Sequence, residues 1–364
     1  MNAQQARDLF DSLLAAMLEQ QASDLHLSVG APPMLRVDGK LCPVEVPPLT
    51  AEATKEMAGC VLNAKQQQRL SLGAEVDLSF AYADRCRLRA NVYQQRGSIS
   101  LALRVIPVNI RSFEELGLPK VLAEIARKPR GLVLITGPVG SGKSTTLAAL
   151  LDLINKERQG HIVTIEDPIE FVHQNHNCII NQREVGADTE SFATALKYVL
   201  RQDPDVVFIG EMRDLETIEA ALTISETGRL ALATLHTNST AQTINRIIDV
   251  FPENKQAQVR SQLSLTLQAV VCQTLLPKIR GGRAMAMEIL TLTPAVRNLI
   301  RDDKIYQIYS ALQTGRGKSG MQTLNHSLSD LVLQRWVAPE VAMLASSDPD
   351  ELQQMLAAAG KAVR

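Results

Sequence analysis

The chain has 364 residues, and its 45% apolar content is enough for two or more hydrophobic cores. A net charge of −1 and an aromatic content of 4% provide neither a strong field nor stacking surfaces for nucleic acid. Five scattered cysteines without a C-x-x-C pair indicate reduced thiols and argue against a structural zinc site. No run approaches the ~20 apolar residues of a membrane span, and no signal peptide is visible. The sequence predicts a cytoplasmic protein with no nucleic-acid partner and no direct membrane insertion.

The first hundred residues have the mixed helix and strand pattern of a small α+β domain. The predicted elements are a helix over 5–21, a strand over 24–29, a hairpin turning at Asp38-Gly39, a polar helix over 51–70, and strands over 87–93 and 99–106. Proline and other turn residues follow. We therefore predict an N-terminal α+β domain over 1–106 and a linker over 107–118.

From Pro119 onward, short apolar strands alternate with helices, which is typical of a parallel sheet covered on both faces. The predicted strands are 132–135, 162–165, 206–209 and 230–234, with helices near 144–156, 189–201 and 215–226. Beyond Asn238 we predict helices over 239–249, 254–275, 294–302, 304–312 and 321–335. The sequence thus predicts an α/β domain over 119–364 whose C-terminal part is helical.

Residues 137–144 fit the G-x-x-x-x-G-K-[ST] pattern of a phosphate-binding P-loop, between an apolar strand and a helix. Glycines allow the loop to turn its N–H groups inward, and the helix dipole adds positive potential there. Lys143 is expected to reach the β- and γ-phosphates of ATP, and the Ser144 hydroxyl to coordinate Mg²⁺. The candidate nucleotide-binding residues are Gly137, Pro138, Val139, Gly140, Ser141, Gly142, Lys143, Ser144 and Thr145. The alternative is a glycine-rich turn with no ligand.

Polar residues follow three other predicted strands, at 166–170, 210–214 and 235–238. In parallel sheets the ligand binds outside the carboxyl ends of the strands, so these residues are candidates for the same site. A single acidic strand end is ordinarily a solvated loop. Three of them beside a P-loop indicate partners for Mg²⁺, an attacking water and a γ-phosphate.

The blocks GPVGSGKST, TIEDPIEF, DPDVVFIGEMRD and LATLHT resemble the Walker A, Asp box, Walker B and His box of the secretion ATPase superfamily. The chain is similar end to end to the PilT-type retraction ATPases of type IV pili. SDLHLSVGAPPMLRVDG near the N-terminus, NQREVG, and AVRNLIRDDK and GMQTL near the C-terminus extend the match. The resemblance implies an N-terminal PAS-like domain, a C-terminal RecA-like P-loop ATPase domain, and a homo-hexameric ring with ATP between subunits.

The same resemblance implies a motor that hydrolyses ATP to power pilus retraction and twitching motility. It implies a location at the pilus base, peripheral to the inner membrane, and an inner-membrane platform protein as partner. It also allows for a second retraction ATPase that shares the work.

Catalytic roles follow from the matched motifs. Glu170 matches the glutamate that orients or deprotonates the attacking water, and Glu211 matches the Walker B acid that supports Mg²⁺. His236 matches the His-box residue that senses the γ-phosphate. Arg229 stands where the family usually has histidine after Thr-Gly, which places that residue's role in doubt.

Arginines from a neighbouring subunit are also needed, because charge develops on the transferred phosphate. We select Arg89, Arg104 and Arg246, against the alternative that each is an ordinary surface arginine.

The block AVRNLIRDDK is predicted to form an amphipathic helix. The resemblance implies that this helix couples hydrolysis to movement, and the alternative is an ordinary amphipathic helix with solvated arginines. Val296, Leu299 and Ile300 share its buried face, and Arg297 and Arg301 are expected to be free to contact a partner.

Two other interpretations of the function remain open. One is a pilus-assembly or type II secretion ATPase, whose tetracysteine zinc element cannot be built here from Cys178 and Cys272. The other is a nucleotide-binding regulatory subunit of a ring, which the intact acidic and lysine residues disfavour.

Overall fold

The protein is described by a computed structural model over residues 3–37, 39–82, 86–106 and 110–362. It divides into two compact units, the first comprising Met1–Asn109 with Pro168–Val172 and the second the rest of the chain. Asp38 of the predicted turn and residues 107–109 of the predicted linker lie outside the described residues. The domain boundaries at 106 and 119 stay predictions.

The first unit is an α+β fold built on a six-stranded antiparallel sheet. Its elements are α1 (Ala3–Glu19), β1 (Asp24–Leu27), β2 (Met34–Val37), β3 (Lys40–Pro43), α2 (Ala51–Val61), α3 (Ala64–Ser71), β4 (Val76–Tyr82), β5 (Cys86–Gln95) and β6 (Ser98–Ile106). The strand order is β3-β2-β1-β6-β5-β4. The apolar stripe of α1, including Phe10, Leu13 and Met17, lies in the core of this unit. The α+β prediction is confirmed, and its PAS-like character stays a prediction.

The single polar helix predicted over 51–70 is wrong, because the chain forms α2 and α3 instead. Asn63 separates them as the N-cap of α3, in a reciprocal capping box with Gln66. The Asn63 side chain accepts from the Gln66 N–H, and the Gln66 side chain accepts from the Asn63 N–H. A continuous helix would have paired both N–H groups internally. The prediction also missed β4.

The second unit has a seven-stranded sheet. Its elements are α4 (Lys120–Ala126), β7 (Gly131–Thr136), α5 (Lys143–Glu157), β8 (Gly160–Glu166), β9 (Cys178–Glu184), α6 (Phe192–Val199), β10 (Val206–Ile209), α7 (Leu215–Glu226), β11 (Leu230–Leu235), α8 (Thr240–Asp249), α9 (Glu253–Thr266), β12 (Leu267–Pro277), β13 (Arg283–Thr291), α10 (Pro294–Arg301), α11 (Ile308–Ser319), α12 (Leu324–Leu333), α13 (Pro339–Ala345) and α14 (Pro349–Ala362). The strand order is β13-β12-β7-β11-β10-β8-β9. All neighbouring pairs are parallel except β12 with β13.

Successive residues of β7 enter two different cores. Leu132 and Leu134 join the core formed with α6 to α11, whereas Val133 and Ile135 join the core formed with α4 and α5. Side chains of a strand alternate between the faces of its sheet, so the two cores lie on opposite faces. This confirms the prediction of a parallel sheet covered on both sides.

The helix predicted over 254–275 is wrong, since α9 ends at Thr266 and β12 begins at Leu267. The run Ala269-Val270-Val271-Cys272 is uniformly apolar, and periodicity cannot distinguish a buried strand from a buried helix in such a run. The run forms a strand because it pairs with β7. The prediction also missed β9 and β13, and Ile305–Gln307 forms a 3₁₀ turn before α11 where one helix was expected.

No helix within the described parts of the chain is both long and apolar enough to cross a membrane.

Candidate nucleotide-binding site

Four adjacent strands bring the sequence-predicted polar residues to one edge of the second unit. β7, β11, β10 and β8 are neighbours in that order and run parallel. Their carboxyl ends lead into Gly137, His236, Glu211 and, as the last residue of β8, Glu166. The P-loop therefore lies beside His236, and His236 lies beside Glu211. Thr234 on β11 fixes the residues on either side of Glu211. Its hydroxyl donates to the Gly210 carbonyl oxygen, and its own carbonyl accepts from the Met212 amide at 3.0 Å.

The P-loop depends on glycine at its bends. Gly140 and Gly142 have φ angles of +78° and +88°, where a Cβ is unfavourable, and α5 begins directly afterwards at Lys143. Val139 at the tip is 88% exposed. The loop thus presents backbone at a helix N-terminus, which is the arrangement that favours phosphate.

Lys143 folds back over this loop and is buried. Its ammonium donates to the carbonyl oxygens of Gly137 at 2.7 Å and Pro138 at 3.0 Å. It also lies 3.4 Å from Nδ1 of His236. A protonated lysine can only donate, so Nδ1 is the acceptor in this contact.

The His236 ring connects Lys143 to the Walker B acid. With Nδ1 accepting, the proton of a neutral imidazole is on Nε2, and Nε2 lies 3.1 Å from Oε1 of Glu211. Glu211 also accepts from Arg213, whose Nη2 is 2.8 Å from Oε2. The structure therefore joins the residues matched to Walker A, the His box and Walker B in one hydrogen-bonded row.

Glu211 is held in its ionised form. Burial alone raises its pKa, but the hydrogen bond and charge of Arg213, with a smaller contribution from His236, bring the pKa below its usual value. The pKa of Arg213 is raised by the same hydrogen bond. An ionised carboxylate here is suited to a Mg²⁺ ion or to one of its water ligands.

The residues present fit a nucleotide and its metal ion. Ser141 Oγ is buried and has no hydrogen-bond partner in the part of the chain that the structure describes, as expected of a donor reserved for a ligand. Ser144 and Thr145 follow at the start of α5, both half-buried. No group of three or more His, Cys, Asp or Glu side chains is placed to hold a metal among the described residues. Mg²⁺ bound to phosphates commonly takes only one or two protein ligands.

The two glutamates of the 166–170 segment differ in environment. Glu166 is buried and accepts from Thr164 Oγ1 at 2.6 Å and Gln182 Nε2 at 3.1 Å. Glu170 is exposed and lies in Pro168–Val172, which belongs to the first unit. The side chain of Glu166 is thus engaged in hydrogen bonds inside the protein, whereas the side chain of Glu170 is accessible to a ligand or to water.

Two of the three selected arginines are neighbours in the first unit. Arg89 on β5 and Arg104 on β6 are directly opposite each other. Arg104 donates to Asp24 Oδ1 at 2.7 Å, and the other side of Asp24 faces Arg36 at 3.8 Å. Burial raises the pKa of Asp24, but the hydrogen bonds from Ser23 and Arg104 and the charge of Arg104 lower it by more. The pKa of Asp24 is therefore below its usual value.

Like charges opposite each other are unfavourable across a strand pair, so Arg89 and Arg104 form a surface suited to an anion. Asp24 pairs with Arg104, and the exposed Asp77 faces Arg89 at 4.0 Å, so an incoming anion would compete with these carboxylates. Arg246, the third selected arginine, is exposed on α8 and makes no hydrogen bond or ion pair to residues within the described ranges.

Gln273 on β12 supports the P-loop and was missed by the sequence analysis. Its Nε2 donates to the Ser141 carbonyl oxygen at 2.7 Å, and its Oε1 accepts from Thr146 Oγ1 at 2.9 Å. The side chain is buried. The pairing of β12 with β7 places Gln273 beside the P-loop, and a helix over 254–275 gives no such indication.

Two arginines with expected functional roles have structural contacts. Arg229 precedes β11 at the end remote from the P-loop, where it donates to the Thr227 carbonyl at 2.8 Å and faces Asp203 at 3.9 Å. Arg297 on α10 was expected to be free, and this is wrong. Its Nη1 donates to the carbonyl oxygens of Ser264 and Leu265 at 3.1 and 3.3 Å, which satisfies the C-terminal end of α9. Val296 and Ile300 are buried as predicted.

Gly137 is the position where a side chain is least compatible with the site. Its φ is +140°, and an added Cβ would lie 2.2 Å from the Gln273 carbonyl oxygen. We expect Gly137→Ala to displace the loop, lower stability by roughly 2 kcal/mol or more and abolish nucleotide binding. Gly140→Ala is the matched control, because its Cβ meets nothing within 4 Å and only the positive φ costs free energy, about 1 kcal/mol. Thermal unfolding and an ADP titration measure both. Normal ADP affinity in Gly137→Ala would show that the loop tolerates displacement.

A parallel sheet with a P-loop after one strand and an acid and a histidine after its neighbours defines a P-loop nucleotide-binding protein of the α/β class. The chain belongs to the type II/IV secretion system protein family, whose model matches residues 2–337.

Specific relatives confirm the resemblance to retraction ATPases. The chain is 50% identical to the type IV pilus retraction ATPase PilT of Pseudomonas aeruginosa, over 93% of this chain and 98% of that protein. It is 48% identical to a twitching motility protein of Neisseria gonorrhoeae, over 88% and 86% of the two chains. It also matches the crystal structure of the pilus retraction motor PilT with bound ADP at a TM-score of 0.89 and 48% identity, over 94% of this chain and 98% of that one.

Proposed function

We propose that this chain is a motor that hydrolyses ATP to retract type IV pili and so drives twitching motility. The main support is the 50% identity that extends over 98% of a retraction ATPase. The proposed form is a homo-hexamer that uses ATP and Mg²⁺. It acts from the cytoplasmic side of the inner membrane on the platform protein at the pilus base, where a second retraction ATPase can share the work.

The row from Lys143 through His236 to Glu211 supports the chemistry. On binding ATP, Lys143 would exchange the Gly137 and Pro138 carbonyls for phosphate oxygens, because a charged acceptor is stronger than a neutral one. His236 would then lose its contact with Lys143 and sense the γ-phosphate. Ser144 and Glu211 would hold Mg²⁺, which neutralises charge on the phosphates. Glu170 would orient the attacking water.

The facing pair Arg89 and Arg104 supports a site shared between subunits. Both lie in the first unit, directly opposite each other, and their side chains stay 45% and 70% exposed although each faces a carboxylate. In the proposed ring they would reach the phosphates bound by a neighbouring subunit, with Arg246 as a third candidate. Developing charge on the transferred phosphate then gains cationic partners.

Mixed rings test the shared site. Arg104→Ala alone and Lys143→Ala alone should each lose turnover, but a mixture should recover part of it. A site made from the P-loop of an Arg104→Ala subunit and the arginine of a Lys143→Ala subunit is intact. Arg36→Ala is the matched control, since Arg36 faces the same Asp24 from the other side and should retain turnover. Absence of recovery from reassembled mixed rings would place Arg104 in its own subunit's structure instead.

The direction of the motor is tested in cells. Deletion of the gene should leave cells with excess pili that do not twitch, and the intact gene should restore retraction. Bald cells would indicate an assembly ATPase. Normal retraction with loss of its regulation would indicate a non-catalytic ring subunit.

A further inference from the structure

Two segments of the second unit meet at its surface beyond the end of β12. One is the β12–β13 turn with its flanks, 278–283, and the other is 333–336 at the end of α12. The Ile279 amide donates to the Trp336 carbonyl oxygen at 2.9 Å, and the Lys278 ammonium lies 4.6 Å from the centre of the Trp336 ring. These contacts join the segments into one surface, which we call the tryptophan patch.

The tryptophan patch lies well past the end of β7, the strand next to β12 in the sheet. The last residue of β12 paired with β7 is Cys272, opposite Thr136. β12 continues to Pro277, which at ~3.3 Å per residue carries the turn about 16 Å past that point. The turn itself is tight, since the Lys278 amide donates to the Gly282 carbonyl oxygen at 3.0 Å.

Three large apolar side chains of the tryptophan patch are exposed to solvent. Ile279 is 59%, Leu333 49% and Trp336 48% exposed. An indole ring combines an apolar face with a polar N–H, and tryptophan is enriched where membranes meet water. Three side chains form too small a surface for a stable protein interface, which needs about 800 Å² from each partner.

Cations alternate with these apolar side chains along the two segments. Lys278, Arg280, Arg283 and Arg335 belong to the tryptophan patch, and neither of its segments contains an acidic residue. The three arginines are exposed. The acids nearest to 333–336 in the sequence are the half-buried Asp330, which precedes the segment, and the exposed Glu340, which follows it. The whole chain has a net charge of −1, so this density of positive charge is local.

We propose that the tryptophan patch binds the surface of an anionic phospholipid membrane. Ile279, Leu333 and Trp336 enter the headgroup region, and the four cations contact lipid phosphates. Cations near an anionic membrane and a few shallow apolar groups suffice for reversible surface binding without a span. The proposal is independent of the nucleotide site.

Trp336 is the chain's single tryptophan, so its fluorescence reports on this surface alone. The full-length protein is titrated with vesicles of phosphatidylcholine containing phosphatidylglycerol, and with vesicles of phosphatidylcholine only. We expect the anionic vesicles to shift Trp336 emission to the blue and shield it from acrylamide, with both effects reversed by high salt. Equal binding to neutral vesicles, or vesicle binding without any change at Trp336, would overturn the proposal. So would equal shielding of Trp336 by a duplex oligonucleotide, since the patch would then select polyanions in general.

Charge-removal variants locate the binding surface. Each cation lost should lower the vesicle partition coefficient roughly fivefold, so Arg280→Gln with Arg283→Gln should lower it roughly 25-fold. Lys65→Gln with Arg69→Gln removes the same charge from α3 in the first unit and should change little. Thermal unfolding and Trp336 emission without vesicles establish that each variant is folded. Equal losses in the two double variants would show that membrane attraction follows net charge and would reject the patch.

Discussion

Lys143→Ala should abolish ATP turnover, with a loss of about 10³-fold or more, and should weaken ATP binding by roughly tenfold or more. The buried ammonium is the only cation that the P-loop itself supplies, and its two carbonyl bonds show that it reaches the loop interior. Removal also takes away the contact to His236 at 3.4 Å, so the row that leads to Glu211 is interrupted. Steady-state turnover and a titration with a fluorescent ATP analogue measure the two effects.

Lys156→Ala is the matched control on the same helix. Lys156 pairs with Asp152 one turn earlier at 2.7 Å, on the exposed side of α5. Such a pair is worth only about 0.5 kcal/mol, so turnover and ATP affinity should stay at the wild-type level. Turnover in Lys143→Ala within tenfold of the wild type would mean that this loop does not hold the reacting phosphates.

Local signals in the sequence were sufficient for the parallel part of the fold. The strands at 132–135, 162–165, 206–209 and 230–234 are short apolar runs followed by turn residues, and each lies within an observed strand. The 267–277 strand failed because its apolar run follows directly on α9 without glycine or proline between them. Its identity depends on pairing with β7, a contact between residues more than 130 positions apart, which no local pattern contains.

The site was predictable to the extent that its residues belong to motifs at strand ends. Lys143, Glu211 and His236 were each identified separately, and the order of β7, β11 and β10 explains why they meet. Gln273 was not identifiable, since a glutamine in a strand has no motif and acts only by its place beside Ser141. Arg297 shows the opposite error, because an arginine on a polar helix face can be engaged by the carbonyls of a neighbouring helix.

Glu170→Gln should keep ATP binding at the wild-type level and lose turnover by about 10²- to 10⁴-fold. The amide has the shape of the carboxylate but cannot accept a proton from the attacking water at neutral pH. Glu170 is exposed and makes no hydrogen bond or ion pair with residues that the structure describes, so the substitution should leave the free energy of unfolding unchanged. A fluorescent ATP analogue, single-turnover hydrolysis and thermal unfolding separate binding, chemistry and folding.

Glu166→Gln is the decisive comparison, since Glu166 ends the strand that Glu170 follows and both variants make the same chemical change. Glu166 is buried, and its two donors, Thr164 and Gln182, both bond to Oε1. An amide oxygen in that place can keep both bonds, but each becomes weaker because the acceptor is no longer charged. We expect the substitution to lower the free energy of unfolding by about 1–3 kcal/mol while turnover stays within about tenfold of the wild type. The reverse pattern, with turnover lost in Glu166→Gln and normal in Glu170→Gln, would transfer the catalytic role to the buried glutamate. Loss of turnover in both variants, with ATP still bound, would mean that positioning the attacking water and accepting its proton both depend on the whole 166–170 segment.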